Sequence, residues 1–302
     1  MPKENTHLFF AHEVKAKFNP ELAEIIRKYK DYYYLGSVAP DIFFYGSKKD
    51  WKVSAALHGK DGEPANKIVI EILELAKEKR SHKNLAFAIG YLTHCALDEV
   101  FHPVVVYLTG DIFSEDPKVL GRANYLHRQW ETELDEDING RYFFSQLVKI
   151  RLFGKLAYPK IIRKRFGLPF NKFFILANKH RLVNFLTRSR PAYYLLKLLV
   201  KSGLYIKKED LALCYSNLEN EKKLIPSGEI VYRDIISGVN KKTSVAELLG
   251  SAEAKALVMI NASFKYFRGQ AGKEELLEKV PGESLETGRI NCPTSKIKYF
   301  KE

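Results

Sequence analysis

Cysteine is scarce. Three residues, Cys95, Cys214 and Cys292, in a chain of 302 are too few and too scattered for a disulfide framework, which points to a reducing compartment. No stretch of about 18 apolar residues runs free of charge, so no transmembrane helix is expected. The opening MPKENTH lacks the basic segment and apolar run that mark a secretory signal. Together these absences predict a cytoplasmic protein. Gly/Ser linkers and internal repeats are missing too, and period-two alternation is rare. Acidic residues vanish from one whole segment: residues 149 to 208 hold 16 Lys or Arg and no Asp or Glu. The other 33 basic residues face all 36 acidic ones, so the net charge of +13 resides in that segment.

What is present is apolar and helical. At 46% hydrophobic residues the chain can bury a sizeable core. Asn19-Pro20 reads as a cap followed by proline at the first helical position, opening ELAEIIRKY. The spacing of Ile68, Ile72, Leu73, Leu75 and Ala76 predicts an amphipathic helix over 64–80. Ser81 caps a further helix that is expected to end or kink near His102, because the residue before Pro103 disfavours the α conformation. Asp116-Pro117 starts another helix, running through Glu131. Asn139-Gly140 marks a break, and Ser244 with Glu247 forms a capping-box pattern. The run VVVYL at 104–108 is short enough for an isolated strand. Length and charge divide the chain at about 148, into a histidine-bearing part (1–148) and a basic helical part (149–302) that can pack on it as one large domain.

Seven of the eight histidines lie at or before position 127. In YLTHCALDEVFHP, His94, Asp98 and His102 recur every four residues. Each four-residue step on a helix drifts by only about 40°, so the three share one face. His127 and Glu131 repeat the four-residue step. Such pairs can converge on a cation, and zinc accepts these nitrogen and oxygen donors. The ordinary alternative is a surface ion pair. Burying three such groups unpaired in an apolar helix costs several kcal/mol, which weighs against chance. His82, among Arg80, Ser81 and Lys83, reads as exposed. His180, between Lys179 and Arg181, reads as a contact for an anion rather than a metal ligand. His7, Asp41 in GSVAPD and His58 in LHGKD are further upstream candidates.

These residues resemble the zinc-dependent phospholipase C family. The family order appears as Thr6-His7, Asp41, His58, His94-x-x-x-Asp98, His102 and His127-x-x-x-Glu131, over roughly residues 5 to 135. The resemblance implies an all-α helical bundle, with the C-terminal helical part added to it, and a cluster of zinc ions. It implies one zinc on Asp41, His58, His94 and Asp98, and a second on His102, His127 and Glu131. A third would lie on His7 with Asp98 bridging. Secreted members complete that third site with a processed N-terminal tryptophan. MPKENT has none, so two zinc ions are expected and a third depends on Pro2 or water. The step from Asp98 to His102 is also shorter than in the secreted bacterial enzymes. Phosphodiester hydrolysis follows from the resemblance, with a phospholipid substrate and Asp41 orienting or deprotonating the attacking water. Other functions remain open: a nuclease or other phosphoesterase on the same cluster, or a non-catalytic, metal-stabilised membrane binder. A di-iron oxidase fits less well, because its Glu-x-x-His pairs are not the pairs present.

Residues 149–208 interleave Lys and Arg with Phe, Leu and Ile. Three readings fit: a solvated face, an amphipathic surface for anionic lipid, or a single-strand nucleic-acid groove. The lipid reading suits a phospholipid hydrolase peripheral to a membrane, and nucleic acid ranks below it. Nothing in the residues speaks to the oligomeric state.

Overall fold

The structure, a computed structural model, describes residues 3–138, 144–203, 207–219 and 221–301. The expected break at Asn139-Gly140 and the candidate Pro2 lie outside them. The fold is all-α. Among the described residues the only sheet is one antiparallel hairpin, Ile230–Arg233 against Asn240–Thr243, with Ile230 opposite Thr243.

The centre of the molecule is the helix His82–Thr109. It is apolar nearly all round, which demands burial on every side. The helices Glu4–Lys15, Lys30–Gly36, Lys67–Glu78, Pro117–Ile138 and Val245–Arg268 supply that cover. Two glycines set the closest approach. A Cβ on Gly90 would sit 1.9 Å from the Tyr33 carbonyl oxygen, and one on Gly36 would sit 2.0 Å from that of Phe87. Only hydrogen fits between these two backbones. One continuous core runs from Leu8 through Leu97 and Ile162 to Ile260 and Leu285, so residues on both sides of position 148 share it.

The caps form as their residue types require. The Asn19 side chain accepts from Leu22 N at 3.0 Å, Ser81 Oγ from Asn84 N and Ser244 Oγ from Glu247 N. The expected end near His102 does not occur, and VVVYL is helix rather than strand: the central helix runs through Pro103 to Thr109. Proline removes one backbone hydrogen bond and costs about 3 kcal/mol. Val104, Val105 and Val106 beyond it are buried, each worth about 1.5–3 kcal/mol, so burial outweighs the break. The Glu99 carbonyl that loses its donor lies close against Gly288, where a Cβ would come within 2.5 Å of it.

The C-terminal stretch is tied back by backbone bonds. Leu285 N donates to His58 O at 2.8 Å, Thr294 N to Lys60 O at 2.9 Å, and Ala65 N to Gly282 O at 3.2 Å. Residues past 280 therefore border the histidine-bearing helices. No helix among the described residues is long and apolar enough to cross a membrane. The three cysteines are free and buried.

Candidate metal centre

All eight candidate ligands are buried, and they gather in two groups. The first is built by the central helix and three elements around it. His94 and Asp98 project from one face of that helix and are fully buried. Asp41 sits in the 3-10 turn Pro40–Tyr45, where Pro40 occupies the first turn. His58 caps the C-terminus of the helix Lys48–Leu57. His7 comes from the helix Glu4–Lys15 and stacks on His94, with ring centroids 4.0 Å apart and planes 13° from parallel.

The distances are those of a ligand shell. His94 Nε2 lies 3.0 Å from Asp98 Oδ2, and His58 Nε2 lies 3.7 Å from the same oxygen. His58 Nε2 is 3.3 Å from Asp41 Oδ1, and His94 Nε2 is 3.7 Å from it. His7 Nε2 is 3.3 Å from the other Asp98 oxygen, Oδ1. Yet Nε2 of His7, His58 and His94, both Asp98 oxygens and Asp41 Oδ1 make no hydrogen bond among the described residues. Zinc–nitrogen and zinc–oxygen bonds of about 2.0–2.2 Å place neighbouring tetrahedral ligand atoms roughly 3.3–3.5 Å apart. Orphaned buried donors at that spacing are satisfied by a cation between them. The residues fit zinc.

The backbone presets the imidazoles. His58 Nδ1 donates to Ser54 O at 2.7 Å, and His94 Nδ1 to Ser37 O at 3.1 Å. A carbonyl only accepts, so the proton resides on Nδ1 and Nε2 keeps its lone pair. This is the outer-shell support that metal-bound histidines use.

The second group lies one turn further along. His102, His127 and Glu131 bring one ligand atom each within 4.8 Å of one another. His102 Nδ1 donates to Leu285 O at 2.7 Å, leaving Nε2 without a hydrogen bond among the described residues. Thr109 gives its only hydroxyl proton to Val105 O at 2.8 Å, so it accepts from His127 Nδ1 at 3.2 Å. His127 Nε2 then faces Glu131 Oε1 at 3.1 Å. Burial, before any neighbouring charge, pushes both imidazoles well below their ordinary value, which favours the neutral form that binds metal.

Asp41, His102, His127 and Glu131 share the wall of a cavity of about 620 Å³, a size suited to a small-molecule site. Lys48, Lys52, Lys60 and Arg128 add positive charge to that wall, while Phe44, Trp51 and Phe113 make part of it apolar.

One wall residue escaped the sequence reading. Glu286 is buried, lines the same cavity and places Oε2 3.4 Å from His102 Nδ1. Burial raises its carboxyl above the usual value. Its only trace in the sequence is the glycine-bracketed GESLETG, in which Gly282 and Gly288 take φ of 77° and 64°. The supporting carbonyls of Ser37, Ser54 and Leu285 have no sequence trace. His82 is exposed as expected. His180 does meet an anion, but an internal one: it is fully buried, bonds Glu4 Oε1 at 2.7 Å and stacks on Tyr45 at 4.4 Å.

No curated protein and no solved structure matches the chain. A family model described as zinc dependent phospholipase C matches residues 6–166, a span that holds all eight ligand candidates and stops well short of Glu286. That span is more than half of the 302 residues, and the protein belongs to the zinc-dependent phospholipase C family.

Proposed function

We propose that the protein hydrolyses the phosphodiester of a phospholipid. In this reading Asp41, His58, His94 and Asp98 hold one zinc, and His102, His127 and Glu131 hold a second. Asp98 turns its other oxygen to His7, where a third would lie. Bound zinc neutralises phosphoryl oxygens and lowers the pKa of a bound water towards about 7. The chain's own residues do the rest. The carbonyls behind His58, His94 and His102 keep each Nε2 lone pair aimed inward. Lys48, Lys52 and Lys60 draw the anionic headgroup into the cavity. Among the described residues Asp41 is the one carboxylate that both belongs to the first group and lines the cavity, so it orients the attacking water and accepts its proton.

The observation that supports this best is the set of orphaned imidazole nitrogens and carboxylate oxygens at 3.0–3.7 Å. The experiment is zinc analysis of the wild type, His94→Ala and His127→Ala, beside turnover of a phosphatidylcholine and a bis-aryl phosphodiester. Each variant is expected to lose about one zinc and at least about 100-fold in turnover. Full zinc content in both variants refutes the site. Zinc without turnover makes the protein a metal-stabilised binder, and turnover of the aryl ester alone makes it another kind of phosphoesterase. Asp41→Asn separates its two roles: turnover lost with zinc retained marks the base, whereas zinc lost marks a plain ligand.

A further inference from the structure

The acid-free segment folds into helices that are apolar on two sides. In Phe170–Thr187, the residues Phe173, Leu176, Ala177, His180, Asn184 and Thr187 are buried. The opposite side carries Ile175, Leu182 and Phe185, each more than half exposed. The next helix, Arg190–Lys201, buries Tyr193 against Leu211 and Cys214, with Leu196 and Val200 beside them. It turns Tyr194, Leu195 and Leu198 outward, again each more than half exposed. The two helices pack on each other across a two-residue join. Six large apolar side chains on adjoining helices are more than scattered surface leucines.

Charge identifies the occupant. Lys179, Arg181 and Lys201 are exposed beside these residues and have no acidic partner among the described residues. With no Asp or Glu between 149 and 208, a second copy would bring like charge against like. Aliphatic Ile175, Leu182, Leu195 and Leu198 offer nothing to a nucleic-acid base or phosphate. An anionic bilayer satisfies both sets at once, taking apolar side chains into the acyl boundary and cations at the headgroups. The position suits a lipid hydrolase. On the inner side of the first helix, His180 bonds Glu4 and stacks on Tyr45, and both of these line the cavity.

We propose that the outward face of Phe170–Thr187 and Arg190–Lys201 docks the protein onto an anionic phospholipid bilayer. The phospholipid reading gives this docking its use, but the docking itself is measured apart from turnover. The experiment is vesicle sedimentation of the full chain, with phosphatidylcholine alone and with equimolar phosphatidylglycerol and phosphatidylcholine. Two variants are compared, Lys179→Glu with Arg181→Glu, and Phe185→Ser with Leu195→Ser and Leu198→Ser, each checked for an unchanged melting temperature. The wild type is expected to sediment with the anionic vesicles and to be released by salt. Each charge removed lowers partitioning about fivefold or more, and the serine variant loses it as well. Both variants keep wild-type turnover of a short-chain phospholipid dispersed as monomers.

Equal binding to neutral vesicles, or undiminished binding by both variants, overturns the proposal. So does a wild-type dimer that the serine variant dissociates, or tighter binding to single-stranded DNA that the same variants abolish. Vesicle binding without turnover of any phosphodiester leaves the docking intact and refutes the hydrolase reading instead.

Discussion

Replacing Asp98 by asparagine is expected to reverse its effect on stability according to whether zinc is present. The Asp98 carboxylate is fully buried, has three imidazole nitrogens at 3.0–3.7 Å and accepts no hydrogen bond from any described residue. Zinc held at about a thousandfold excess over its dissociation constant adds about 4 kcal/mol to folding. At about 2 °C per kcal/mol for a chain this long, chelation at pH 8 lowers the wild-type melting temperature by about 8 °C. Asparagine removes the buried charge and offers an N–H to Nε2 of His94 or His7. Without metal that relieves about 1–3 kcal/mol of unsatisfied polarity, so Asp98→Asn in chelator melts about 2–6 °C above the wild type. In zinc the order reverses, because the variant has lost the carboxylate shared by His7, His58 and His94. The assay is scanning calorimetry in zinc and in chelator, with metal content measured on each sample. A variant equally destabilised in both conditions refutes a cation-centred cluster and leaves Asp98 as ordinary core polarity.

Three more perturbations probe the support. Glu286→Gln, beside His102 but absent from the family's matched span, is expected to weaken zinc binding about 10–100-fold, read by competition with a chromogenic chelator; unchanged affinity removes it from the site. Gly90→Ala forces a methyl to 1.9 Å from the Tyr33 carbonyl and is expected to cost about 3 kcal/mol, measured as a lowered urea midpoint with unchanged slope. Asp234 is buried, which alone would raise its carboxyl. Lys241, the Ser237 N–H, Arg289 and the Ile236 N–H instead hold it well below the ordinary value. Its contribution is therefore present above the ordinary carboxyl pKa of about 3.9 and fades as pH falls below that. Asp234→Asn lowers the urea midpoint at pH 7, and the gap from the wild type narrows by pH 3. A gap that widens on acidification contradicts this.

Local chemistry made much of the protein legible in its residues. Caps at Asn19, Ser81 and Ser244 form where their side chains can reach the next turn's N–H groups. The four-residue recurrence of His94, Asp98 and His102 sets one face because helix geometry allows nothing else. The charge break at 149 likewise needs no fold to be seen. His7, Asp41 and His58 are different: they stood as separate upstream candidates, no periodicity joins them to the central helix, and only the family order grouped them with it.

The rest belongs to tertiary packing. Whether the helix survives Pro103 depends on what buries Val104, Val105 and Val106, which no window around the proline contains. The carbonyls of Ser37, Ser54 and Leu285 that aim the imidazoles are backbone groups every residue possesses, so nothing in the residue types marks them. Glu286 reaches the His102 side of the cavity because Leu285 bonds His58 across more than two hundred residues. Residue types and spacing determine which side chains can bind a metal and which face of a helix carries them. Their convergence is decided by the folded core, since contacts between distant elements depend on the packing of every helix between them.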